Sequence, residues 1–111
     1  MMPGYEDLML PMLKFLSDGR EHSMKEVEDY LADQFNVTDA ERLQRYETSG
    51  APIFKDKVSW ARTYMFKAKL IDVPRRGYVI ITDRGREVLT QNRQRLDHKF
   101  LEKYPEFQDF R

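Results

Sequence analysis

Apolar residues recur along this chain at helical spacing, give way to two β-branched runs, and then return to helical spacing. Leu8, Met12, Phe15 and Leu16 form a stripe that predicts a first helix over Tyr5–Leu16. Pro11 falls inside it, where proline removes a ladder donor, so a kink or a late start is expected. Ser17-Asp18-Gly19 is the stop signal. Ser23-Met24-Lys25-Glu26 is a capping box for a second helix, preceded by a short strand over Glu21-His22-Ser23. That helix sets Val27, Tyr30, Leu31 and Phe35 against Lys25, Glu28, Asp29 and Asp33. Thr38-Asp39-Ala40-Glu41 is a second capping box and opens a short helix reaching Tyr46.

After the polar turn Thr48–Pro52, the third main helix is expected over Phe54–Lys69. At about 100° per residue, Phe54, Val58, Ala61, Met65 and Ala68 fall within roughly one quarter of its circumference. Trp60 and Tyr64 lie along one flank and are assigned to packing, with their polar tips free to reach a partner. The opposite arc holds Lys55, Asp56, Ser59, Thr63, Phe66 and Lys67, with Arg62 and Lys69 at one edge. Phe66, outward on that arc, is read as packing under the C-terminal tail. Leu70–Val73 and Tyr78–Ile81 read as strands joined by a Pro74-Arg75-Arg76-Gly77 turn. Thr82-Asp83 caps a last helix through Asn92, whose first turns Gly85 weakens.

The order of elements is helix, strand, helix, small helix, helix, hairpin, helix. It predicts an α+β, mainly helical fold: a winged helix-turn-helix with a small antiparallel β-hairpin wing. Residues 1–92 would form this domain and 93–111 a C-terminal extension or linker. At 111 residues there is material for one modest core.

Charge sharpens the picture. The whole chain is neutral, yet residues 53–86 hold nine Lys/Arg against three Asp/Glu, and residues 1–52 hold five against eleven. Asymmetry of this kind points to a polyanionic partner met by one surface. A DNA duplex would take the third helix in its major groove and the turn along its backbone. Lys55, Arg62, Lys67, Arg75 and Arg76 are the candidate phosphate contacts, and Asp56, Ser59 and Thr63 the short polar groups that reach base edges. For any one of these residues the plain alternative is a solvated helix face; the case rests on the group.

Catalysis finds no support. There is no cysteine, and His22 and His98 are isolated from any second histidine at ligand spacing. Asp97-His98-Lys99 matches half of a nuclease D-x-K pattern but lacks a preceding Pro-Asp on a strand, and no phosphate-cradling glycine loop is present. No catalytic residue, metal or cofactor is expected. No apolar run is long enough to cross a membrane, and a cytoplasmic, nucleoid-associated protein is the expectation.

Several short stretches resemble the N-terminal domain of Mrr-type restriction endonucleases. They are Asp7-Leu8-Met9-Leu10-Pro11, Gly19-Arg20-Glu21-His22-Ser23 and Trp60-Ala61-Arg62-Thr63-Tyr64-Met65, with Ala68 and Leu70-Ile71. Arg76-Gly77, Ile81-Thr82, Arg84-Gly85-Arg86-Glu87-Val88-Leu89, Phe100-Leu101-Glu102 and Pro105-Glu106-Phe107 continue the likeness. Two positions depart from it: Lys69 stands where the family usually has glycine, which suggests a strained helix end, and Phe66 where it usually has lysine. The resemblance implies a non-catalytic winged helix that recognises double-stranded DNA, methylated or plain, and that joins a separate nuclease domain of PD-(D/E)xK type. A homodimer, a protein-interaction module using the acidic half or Phe66, and a stand-alone transcriptional regulator are the competing expectations.

Overall fold

The structure is a computed structural model and describes residues 2–110. Helix α1 (Tyr5–Phe15) runs unbroken through Pro11, so the late start does not occur. The missing proline N–H removes the one ladder donor that would reach the Asp7 carbonyl. One 3-10 turn (Leu16–Asp18) follows, and Gly19, at φ 78°, reverses the chain.

Strand β1 (His22–Ser23) leads into α2 (Met24–Gln34) through the expected box: Ser23 Oγ accepts from the Glu26 N–H at 3.1 Å, and Glu26 accepts from the Ser23 N–H at 3.0 Å. Thr38 and Glu41 repeat the device for α3 (Asp39–Leu43). Helix α4 (Ile53–Lys67), strands β2 (Ile71–Asp72) and β3 (Tyr78–Ile81), and α5 (Asp83–Thr90) complete the anticipated set.

The three strands form an antiparallel sheet in the order β1-β3-β2, with His22 opposite Val79 and Ile71 opposite Ile81. The result is a winged-helix-like α+β domain in which β2, β3 and the loop between them make the wing.

The core is apolar throughout. Leu8, Met9, Met12, Leu13 and Leu16 from α1 meet Val27 and Leu31 of α2 and the predicted face of α4, namely Phe54, Val58, Ala61, Met65 and Ala68. Among the described residues no polar or charged residue is buried.

Two further helices, α6 (His98–Leu101) and α7 (Pro105–Phe110), bring Leu96, Leu101 and Phe107 to full burial. Asp97 caps α6 by accepting from the Phe100 N–H at 2.8 Å. No helix among the described residues is long and apolar enough to cross a membrane.

Candidate nucleic-acid interface

Helix α4 starts after Pro52 and ends in a reversal with both bonds of a Schellman motif. The Lys69 N–H reaches the Phe66 carbonyl at 3.0 Å and the Leu70 N–H the Met65 carbonyl at 2.9 Å. Lys69 takes the left-handed position, at φ 66°, which explains the glycine expected there by family likeness. This reversal turns the chain directly into β2 and fixes the wing beside α4.

Beside the wing base, β1 locks onto β3 and the Met24 N–H donates to the Gly77 carbonyl at 2.8 Å. The start of α2, the first half of α4 and the base of the wing therefore share one groove of about 410 Å³. Lys25, Glu28, Lys55, Ser59 and Gly77 line it. A second groove, of about 450 Å³, lies between the later half of α4 and the wing and is lined by Arg62, Thr63, Phe66, Lys67 and Val73. Lys55, Ser59, Arg62 and Phe66 fall at successive i+3 and i+4 steps, so one stripe of α4 serves both grooves.

The fate of each predicted contact differs. Lys55 is exposed and Ser59 and Thr63 are half-buried in the grooves. Asp56 is already engaged, accepting from the Tyr46 hydroxyl at 3.2 Å. Burial, then that carboxylate, pushes the Tyr46 phenol above its ordinary range. Arg62 is half-buried, with an Nε that is fully covered and has no hydrogen-bond partner. Lys67 holds its ammonium 5.2 Å from the Phe110 ring centroid.

Arg75 is committed within the molecule: its Nε donates to Glu21 at 3.1 Å, and its guanidinium lies 3.7 Å from the Tyr78 ring centroid. Arg76 is exposed and forms no salt bridge among the described residues. Among the described residues, of the nine cations in residues 53–86, Arg75, Arg84 and Arg86 are in salt bridges, and Lys55, Lys57, Arg62, Lys67, Lys69 and Arg76 are not.

Lys25 and Val73 join the grooves beside Gly77 of the predicted turn, because strand pairing and the helix reversal bring them there. Trp60 departs from its assignment to packing and stands 45% exposed. Phe66 is half-buried as expected, but it sits in the wing groove beneath the Lys67 and Lys69 ammonium groups rather than under the tail.

Fold and grooves together define a winged-helix-like domain with a basic, largely unpaired α4 and wing. The Mrr N-terminal domain profile matches residues 5–91, and the chain belongs to that family, a module associated with Mrr restriction systems. No curated protein and no solved structure matches the chain.

Proposed function

We propose that this domain holds duplex DNA as the recognition module of an Mrr-type, modification-dependent restriction system and binds without cutting. The observation that carries the reading is the distribution of unpaired cations. Six of the nine cations in the basic segment have no salt bridge among the described residues, and Lys55, Arg62, Lys67 and Arg76 among them lie along α4 and the wing, beside the two grooves. Of the acidic residues near this surface, Asp56 accepts from Tyr46, Glu21 pairs with Arg75 and Glu28 with Arg42, while Asp72 accepts the Val73 N–H. A phosphate backbone supplies the missing counter-charge. Phe66 and Val73 add an apolar lining beside Thr63, the chemistry that a C5-methyl group in the major groove would meet.

Titration of a labelled duplex against the chain at several salt concentrations tests the reading. Affinity falls steeply with salt, and Lys55→Ala and Arg76→Ala each reduce the slope of log K against log salt by about 1. Arg75→Ala has a smaller effect, because its guanidinium is held by Glu21 and Tyr78. A cytosine-methylated duplex of the same sequence binds more tightly, and Phe66→Ala removes that margin. Affinity indifferent to salt and to both lysine and arginine substitutions rejects the interface.

A further inference from the structure

Around α4 from the Lys55–Phe66 stripe, Lys57, Trp60, Tyr64 and Lys67 form a second stripe at i, i+3, i+7 and i+10, of which Lys67 also lines the wing groove. It is centred about 150° around the helix from the Lys55–Phe66 stripe, at 100° per residue, and spans about 15 Å along the axis. Tyr64 stands between two open rings, with the Trp60 centroid at 5.5 Å and the Phe110 centroid at 5.8 Å. Trp60 is 45% and Phe110 37% exposed, and no hydrogen bond engages the Trp60 indole N–H among the described residues.

We propose that this ridge is a stacking site for unpaired nucleobases of single-stranded nucleic acid, with Trp60 and Phe110 as platforms and Lys57 and Lys67 as phosphate contacts. Charge complementarity selects this occupant. A lysine brackets each end of the ridge, and Lys67 Nζ sits 5.2 Å from the Phe110 centroid. Cations interleaved with open rings are what a strand of stacked bases and phosphates uses. The core of a protein–protein interface is depleted of lysine, so a protein partner fits less well.

Two acidic groups lie nearby. Asp7, salt-bridged to Arg95, also feels the charge of Lys57, and its carboxyl lies below its ordinary range, first through the Gly4 N–H it accepts. Asp109 is exposed next to Phe110 and takes part in no salt bridge among the described residues. Neither covers the Trp60 ring. The site shares Lys67 with the wing groove, whereas Trp60 and Phe110 line neither groove, so the two rings distinguish base stacking from duplex binding.

Trp60 is the only tryptophan, so its fluorescence reports directly on the ridge. The full chain is titrated with an oligothymidylate of about twelve nucleotides, within the range of single-strand site sizes, and with an abasic strand of equal length. Oligothymidylate quenches the emission to saturation, and the abasic strand binds about tenfold more weakly or worse, as expected when base stacking contributes. Labelled oligothymidylate followed by anisotropy binds Trp60→Leu about tenfold more weakly, the loss expected for one stacked base, and Phe110→Ala several-fold more weakly. Both variants keep the parent thermal midpoint. If Trp60→Leu fails to fold, the abasic comparison and Phe110→Ala decide the matter. Equal affinity for the abasic strand overturns the site, as does unchanged binding by the folded variants. So does an emission change that follows protein concentration without oligonucleotide, which would assign the ridge to a second copy of the chain. Duplex binding is measured separately on a blunt-ended, fully paired duplex of two strands, so failure of either surface leaves the other to its own result.

Discussion

Along its C-terminal flank α4 is closed by packing, and along its wing flank it is open. On the closed side Tyr64 meets Tyr5, His98 and Phe107 at ring-centroid distances of 5.2 to 5.8 Å, and Phe107 is fully buried. Arg84 fastens this side by donating to the Ala68 carbonyl at 2.8 Å and to both Glu106 oxygens at 3.0 and 3.1 Å. Arg95 adds bonds to Glu6 and Asp7. On the open side Arg75 is tied to Glu21 and Arg42 to Glu28 and Asp29, and Lys55 and Arg76 remain exposed without partners among the described residues. The same residue types thus serve two ends. Bidentate, partly covered arginines hold elements together, whereas exposed cations stay available to an anion.

Removing the closed flank tests this contrast hardest. Phe107→Ala costs about 3–5 kcal/mol of stability, the range for deleting a fully buried phenylalanine. That is a large fraction of the roughly 5–15 kcal/mol that holds a domain of this kind. Chemical denaturation gives the loss. At a temperature where the variant is folded, its salt slope on duplex DNA matches the parent, because the cations of the wing flank are untouched. A halved slope would mean that the two flanks are not separable.

Gly85→Ala comes next and strikes where the flanks join. A Cβ there would overlap the Leu70 carbonyl oxygen and stand 2.8 Å from Ile81 Cγ1. The backbone between α4 and the wing has to shift, at a cost of about 1–3 kcal/mol typical of overpacking. Both denaturant midpoint and duplex affinity fall, since the wing moves with its anchor. A stability loss with unchanged affinity would show that the grooves tolerate movement of the wing.

The smallest effect concerns the edge strand behind the wing. His22 holds Asp18 at 2.9 Å and Glu26 at 3.3 Å. Burial alone would lower its pKa, but the hydrogen bonds and charges of these two carboxylates prevail and raise it above the ordinary 6.5. Because the folded value exceeds the unfolded one, the stabilisation is complete below the unfolded pKa and disappears as pH rises through the folded pKa. Asp18 and Glu26 shift the other way. Their carboxyls are held below the ordinary range, chiefly by the Arg20 and Ser23 N–H groups, so their contribution is lost as pH falls through the folded values. Thermal midpoints should therefore peak between the carboxylate range and the His22 pKa. His22→Gln flattens the alkaline limb and leaves the acid limb in place. An alkaline limb unchanged in that variant would assign it to another group.

The element order and the α4 core face were readable in the chain because they depend on local signals. Capping boxes at Ser23 and Thr38, a five-residue apolar stripe, and the Pro74–Gly77 turn act over a few residues. The fold-back of residues 96–110 was not readable. Its buried residues are widely spaced, Leu96 before α6 and Leu101 and Phe107 in two short helices, and their partners lie far away in sequence. Gly85 looked like a weak point in a helix, and only the neighbouring backbone of Leu70 shows why no larger residue fits.

The sequence by itself therefore determined the order of elements through α5, the apolar core of α4 and the concentration of positive charge, all properties of neighbouring residues. Tertiary structure alone decided which cations are spent on salt bridges and which stay free, and that Trp60 lies open rather than packed. A side chain's partners and exposure are set by groups that the fold brings from elsewhere in the chain, which no local pattern records.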